Sequence, residues 1–310
     1  MAQDLVTAQR RVTAPTLAGW VGETTHLLRA AGVEGPLRDA RLLAASGCGL
    51  SAAQVLSESD RVLTLQDVER LDALRRRRLQ REPISRILGR RAFMNLDLEI
   101  SPATLDPRAD TETLVEAAKL LLREDGRTAA ELEIADLGTG SGAILIALLQ
   151  ALPNARGLGI DISAEALGVA HRNSAAHGVG TRARLLRGSW FDGIDGMFDV
   201  IVSNPPYIPT ADIDGLEPEV LWYDPVLALD GGSDGLAAYR EILSQAGAHL
   251  RPGGWLIVEV GVDQAAAVAS LLTRAEQSVD PANLRIFSDL AGHSRCVAKR
   301  HHAAPSIAKK

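Results

Sequence analysis

Cysteine is nearly absent from this chain of 310 residues: only Cys48 and Cys296 occur, far apart and without the spacing of a metal-binding pair. Both read as reduced thiols of a protein from a reducing compartment. No apolar run approaches the roughly 18 residues of a membrane span. The first residues mix acidic and basic side chains without an apolar core, so no signal peptide is expected and a cytoplasmic location is. Seven histidines occur, none in H-E-x-x-H or a similar spacing. No metal is therefore expected, and no paired Cys/His or Ser/His/Asp signature is visible either. Positive charge is in deficit, with a formal net charge of -6, which argues against broad non-specific nucleic-acid binding. There is no internal repeat. What is present, 46% hydrophobic and 23% charged residues, is the balance of a soluble globular protein with room for one large or two ordinary domains.

The chain falls into segments of different periodicity. Residues 1–13 are polar and read as loose. Over 14–85, apolar residues recur at helical spacing behind N-cap candidates: Thr16, Ser51 with Gln54, and Thr64 with Asp67. A small helical domain is expected there, of a size that positions a partner. Residues 75–91 carry Arg75, Arg76, Arg77, Arg78, Arg81, Arg86, Arg90 and Arg91 against a lone acid, Glu82. This reads either as a solvated helix end at the negative pole of the helix dipole or as a contact surface for a partner or RNA phosphates. Residues 86–104 suit a β-hairpin linker. From 105 to 298, strands alternate with helices, the pattern of a mostly parallel sheet covered on both faces. A basic, disordered tail is expected over 299–310.

Two motifs carry chemistry. Gly138-Thr139-Gly140-Ser141-Gly142 follows the strand at Ile134–Leu137 and opens a helix, so the backbone turns tightly and a ligand can approach the main chain. Asp161 ends the next strand, where a carboxylate can accept hydrogen bonds from two ribose hydroxyls. The third glycine lies one position earlier than in G-x-G-x-x-G, so an adenosine-containing ligand is indicated without saying which. The second motif is Asn204-Pro205-Pro206-Tyr207, behind the unbroken apolar run Phe198 to Ser203. Two prolines end the strand and stiffen the loop. Its amide oxygen and the Pro205 carbonyl can together accept both hydrogens of a planar NH2 group, with the aromatic ring over the face.

Together these residues resemble S-adenosylmethionine-dependent methyltransferases acting on amide or exocyclic amino nitrogens. Further stretches narrow the resemblance to one family, the protein glutamine N5-methyltransferases of class 1 peptide-chain release factors. They are Arg81-Glu82-Pro83-Ile84, Pro107-Arg108-Ala109-Asp110-Thr111-Glu112, Ala228-Leu229-Asp230-Gly231-Gly232 and Asp289 to Arg295. The resemblance runs from the first helices to about Val297. It implies an α/β fold, a Rossmann-like class I methyltransferase sheet of seven mostly parallel strands behind a helical N-terminal domain. It implies S-adenosyl-L-methionine as cofactor, S-adenosyl-L-homocysteine as product, and the glutamine of the Gly-Gly-Gln motif as methyl acceptor. Asn204, Pro205 and Tyr207 are then the catalytic residues, with Pro206 completing the substrate loop. Gly138, Thr139, Gly140, Ser141, Gly142, Asp161, Trp190 and Asn204 are the cofactor residues, Trp190 flanking the adenine. Arg108, Thr111 and Glu112 follow behind this set, because the family usually has proline at Ala109, an apolar residue at Asp106 and glutamate at Asp224. The partner implied is a release factor, with no membrane and no stable nucleic-acid partner. The rival reading is methylation of an adenine or guanine amino group in DNA or RNA, which N-P-P-Y would also serve. That requires a flipped base and a basic groove, or an added recognition domain. A non-catalytic docking module is a third reading, against which the intact set of site residues argues.

Overall fold

In a computed structural model, the chain divides into two compact units, Met1–Leu88 and Gly89–Lys310. The structure describes residues 14–274 and 283–301. The expectations for residues 1–13 and for the tail over 302–310 lie outside the described residues.

The first unit is built of α1 (Leu17–Ala30), α2 (Pro36–Cys48), α3 (Ala52–Ser57), α4 (Leu65–Leu79) and the short α5 (Ile84–Leu88). The caps form where the sequence spacing predicts them. Thr16 accepts from Gly19 N, and Ser51/Gln54 and Thr64/Asp67 close reciprocal capping boxes. Leu17, Trp20, Leu43, Leu63 and Leu71 make its core. The arginine run is not simply a solvated end. Arg75 bonds Asp72 at 2.9 Å and lies over the Trp20 ring at 5.7 Å. Arg77 grips Glu82 through two bonds of 2.5 and 2.8 Å. Arg78 is buried, its Nε 2.8 Å from the buried Asp39 Oδ2. Removing one partner of a buried pair leaves the other charge desolvated. Arg78→Ala is therefore expected to cost about 3 kcal/mol, the low end for such pairs because Arg38 remains beside Asp39. The midpoint of chemical denaturation checks it; an unchanged midpoint would mean that the pair contributes nothing.

The second unit opens with a hairpin, β1 (Arg90–Phe93) and β2 (Leu96–Glu99). This hairpin is fastened to the helix Ala164–Ala176: Glu99 N donates to Asn173 Oδ1 at 2.8 Å and Asn173 Nδ2 donates to Glu99 O at 2.9 Å. The hairpin lies within the expected 86–104 stretch and groups with the second unit. The remaining strands are β3 (Glu133–Leu137), β4 (Arg156–Asp161), β5 (Ala183–Arg187), β6 (Phe198–Ser203), β7 (Leu250–Glu259), β8 (Leu284–Ser288) and β9 (Ser294–Arg300). They form one seven-stranded sheet in the order β5-β4-β3-β6-β7-β9-β8, parallel except where β9 runs antiparallel between β7 and β8. Helices α6 (Glu112–Glu124), α7 (Ala143–Ala151), α8 (Ala164–Ala176), α9 (Pro218–Leu221), α10 (Ala237–His249) and α11 (Ala265–Arg274) complete the unit. No helix among the described residues is long and apolar enough to cross a membrane.

Two differences from the sequence reading stand out. No helix is expected at 112–124, yet Leu114, Val115, Ala118, Leu121 and Leu122 line the buried face of α6. And β9 continues through Lys299 and Arg300, residues expected to open the tail. Lys299 stays in the sheet because its ammonium reaches Leu272 O at 2.9 Å while its stem is buried.

Register positions the site. Leu137 of β3 stands opposite Ile160 of β4 and Ser203 of β6. The next residues, Gly138, Asp161 (the last of β4) and Asn204, therefore come at the same end of three neighbouring strands, with Gly138 between the other two. This is where the strand order reverses, the crevice in which open α/β sheets bind ligands.

Candidate active site

A cavity of about 470 Å³ opens at these strand ends, within the range of small-molecule sites. Gly138, Thr139, Gly140, Ser141, Asp161, Trp190, Asn204, Pro206 and Thr111, all expected at the site, line it. The glycine turn is held by Asp161, whose Oδ2 accepts from Gly140 N at 2.8 Å and whose Oδ1 accepts from Ser163 N at 2.9 Å. Each carboxylate oxygen keeps a further acceptor direction. Gly140 has φ +55° and nothing within 4 Å of where a Cβ would stand. Its backbone is thus bare toward the cavity, as close approach of a ligand requires. The Trp190 indole lies near Gly138, on a backbone at φ +47°, a strained conformation for an aromatic residue at a cavity wall.

Other expected residues stand elsewhere. Gly142 is off the wall and starts α7; a Cβ there would meet Ile146 at 3.1 Å and Ala170 at 3.3 Å, so it serves helix packing. Glu112 accepts from Met94 N at 2.6 Å and pins the hairpin turn, where Met94 has φ +52°. Arg108 pairs with the buried Asp224 at 2.6 Å, joining the Pro107–Glu112 stretch to the segment that follows Asn204. Asp106 is buried 3.5 Å from Arg91 Nε, so the charge that departs from the family pattern has a local counter-charge. Pro205 and Tyr207 are not on the wall among the described residues. The half-buried Tyr207 ring belongs to the core around Glu259 and Arg295, and burial pushes its phenol up to about 12. The Tyr207 carbonyl accepts from Gln264 Nε2 at 2.8 Å, which fixes the loop.

Sequence reasoning missed Leu105, Pro107 and Leu227 on the wall, and two buried carboxyls behind it. Asp136 accepts from Thr139 Oγ1 at 2.7 Å, and burial raises it to about 7. Glu259, at the end of β7, is likewise raised to about 7 by burial. A strand reading hides both, because only tertiary packing buries them. Among the described residues no cluster of His, Cys, Asp and Glu could hold a metal ion.

Comparison with known proteins fits this geometry. Residues 20–89 match the PrmC N-terminal domain and residues 111–215 the methyltransferase small domain. A release factor glutamine methyltransferase of Rhodospirillum rubrum is 51% identical over 89% of this chain and 82% of its own length. The chain belongs to the release factor glutamine methyltransferase family. A second member, from Bradyrhizobium diazoefficiens, is 46% identical over 88% of this chain and 91% of its own. Among solved structures, the hMettl16 catalytic domain in complex with the MAT2A 3′UTR hairpin 6 superposes with a TM-score of 0.54. At 15% identity over 68% of this chain and 78% of that one, this likeness concerns the fold alone. The release factor glutamine methyltransferase family thus accounts for both the helical first unit and the seven-stranded sheet.

Proposed function

We propose that this protein transfers a methyl group from S-adenosyl-L-methionine to N5 of the glutamine in the Gly-Gly-Gln motif of class 1 peptide-chain release factors. The observation that carries the reading is the placement of Asn204 beside a glycine-walled cavity, in a chain 51% identical to a protein named for that activity. The cavity suits the cofactor: a bare glycine turn for its backbone contacts, the Asp161 carboxylate for ribose hydroxyls, and the Trp190 indole for a flat base. When bound, the cofactor supplies an electrophilic methyl on a sulfonium sulfur and leaves as S-adenosyl-L-homocysteine.

The chain's own residues have to orient a poor nucleophile. A carboxamide nitrogen shares its lone pair with its carbonyl, and it becomes strongly acidic only as it attacks, so no strong base is needed beforehand. Asn204 Oδ1, on the cavity wall, accepts one hydrogen of the NH2. The Pro205 carbonyl, although Pro205 is not itself on the wall, is the second acceptor the motif implies; together they hold the NH2 in line with the methyl. The same two oxygens favour the positive charge that grows on nitrogen, the reverse of an oxyanion hole. Pro206 has no N–H to compete for them. The proton is lost from nitrogen once the C–N bond has formed.

The base-methylating rival shares these acceptors. The net charge of -6 and the family to which the chain belongs favour the protein substrate. A release factor substrate also agrees with a cytoplasmic location. Incubation with methyl-labelled cofactor and purified release factor is expected to label the wild-type factor and leave a Gln-substituted one unlabelled. Label on a DNA or RNA oligonucleotide instead would select the rival. Cofactor binding with no transfer to any substrate would select the docking module.

A further inference from the structure

The polar groups behind Asn204 form a chain that neither cofactor nor substrate contacts explain. In the register of β6 and β7, Ser203 stands opposite Val258, so Asn204, just past β6, and Glu259, the last residue of β7, come side by side. Glu259 is 2% exposed, and its Oε2 has no hydrogen-bond partner among the described residues. Thr111 and Asn204 lie against the carboxyl, their side chains lowering its pKa against the rise that burial causes, and Asn204 Nδ2 donates to Thr111 Oγ1 at 3.2 Å. A carboxamide has two ends of nearly equal shape, one accepting and one donating. A hydroxyl tolerates either end, because it both donates and accepts. An ionised carboxylate only accepts. When ionised, Glu259 draws the single hydrogen of Thr111, so Thr111 Oγ1 can then only accept, and only the NH2 end of Asn204 can face it. Oδ1 is then left for the cavity.

We infer that Glu259 is a positioning residue: through Thr111 it sets which end of the Asn204 carboxamide faces the methyl-acceptor nitrogen. The inference rests on the proposed function for its kinetic consequence. It does not rest on it for the orientation of Asn204. The groups around the carboxyl do not duplicate its role. Arg295, on β9, is already held by Asp110 and Asp289, each at 2.8 Å. Tyr239, from α10, donates to the Glu259 backbone carbonyl at 2.7 Å, leaving the carboxyl alone. Burial pushes the Tyr239, Tyr207 and Cys296 groups upward, so they stay neutral at ordinary pH. Burial also holds Glu259 near 7, so it ionises as pH rises through that value, and the acceptor-only state is reached above it.

The test uses Glu259→Gln, nearly isosteric and able to donate to Thr111. Single-turnover methylation of release factor by wild type is expected to quicken as pH rises through about 7. In Glu259→Gln it should be about 10- to 100-fold slower at pH 8, without that step, and with cofactor affinity unchanged. Thr111→Val should behave like it, and Thr111→Ser should restore the rate. Asn204→Ala/Glu259→Gln should be no slower than Asn204→Ala alone, since residues acting through one another are not additive. A wild-type rate with the pH step intact in Glu259→Gln, or losses that multiply in the double variant, overturns the inference. The side-chain amide resonance of Asn204 gives a reading without substrate. It should shift through pH 7 in wild type and not in Glu259→Gln. Identical titrations overturn the inference even if no release factor is methylated; inactive wild type with the expected difference overturns only the proposed function.

Discussion

Asn204→Ala is expected to lower the rate of release-factor methylation by about 10²–10³, with cofactor affinity nearly unchanged. The loss should be local, because the loop does not depend on this side chain for its shape. Ile208 N donates to Leu229 O at 3.0 Å and Gly231 N donates to Ile208 O at 2.8 Å, so the Ala228–Gly232 stretch straps the loop down. A Cβ on Gly231 would lie 2.8 Å from Tyr207 Cα, which explains glycine there. Gln264 holds the Tyr207 carbonyl from the other side. With the turn intact, what Asn204→Ala removes is one preorganised acceptor for the substrate NH2. Asn204→Asp separates two requirements. It keeps an acceptor but loses the Nδ2–H that donates to Thr111, and it sets a second carboxyl beside Glu259. If acceptance alone mattered, the Asp variant would keep partial activity; the hydrogen-bond chain seen here leads us to expect a loss close to that of Ala. Near-wild-type turnover in Asn204→Ala would sink the mechanism.

How much of this was legible in the sequence depends on the distance over which each feature is encoded. Thr64 and Asp67 lie three residues apart, and their capping box is readable because its partners share one helical turn. Gly138–Ser141 and Asn204 are readable for the same reason: each is a strand end, a turn and a few side chains in one local stretch. The Arg78–Asp39 pair spans 39 positions, and nothing near Arg78 says that this arginine, and not the exposed Arg76, turns inward. Glu259 is harder still. In sequence it is an acid at the end of an apolar strand, as consistent with a solvated edge as with burial. Only the register of β6 on β7, together with the cover provided by β9 and Thr111, makes it a buried carboxyl against Asn204. The wall residues Leu105 and Leu227 come from segments more than a hundred positions apart, and their apolar character alone says nothing of a cavity. Tyr207 is a mixed case: its motif names the residue, but that its half-buried ring packs against the core beside Glu259 is set by tertiary contacts.

Asp161→Ala is expected to weaken S-adenosyl-L-methionine binding by about 10- to 150-fold, the equivalent of about 1.5–3 kcal/mol for hydrogen bonds to a charged group. Two effects act in the same direction. The carboxylate faces the cavity with acceptor capacity to spare, and ribose hydroxyls lose that acceptor. It also ties Gly140 N at 2.8 Å and Ser163 N at 2.9 Å, so its removal loosens the turn against which the cofactor packs. Asp161→Asn distinguishes this from a simple charge effect. An amide presents one accepting oxygen and one donating nitrogen, and the nitrogen would face a backbone N–H that also donates. The Asn variant is therefore expected to bind nearly as weakly as Ala, although it is almost isosteric with Asp. Titration calorimetry measures both affinities, and the melting temperature without cofactor reports whether the fold has changed. Since Asp161 does not touch the methyl acceptor in this arrangement, turnover at saturating cofactor should fall much less than affinity, the reverse of the pattern expected for Asn204. An unchanged dissociation constant in Asp161→Ala removes this residue from the cofactor site.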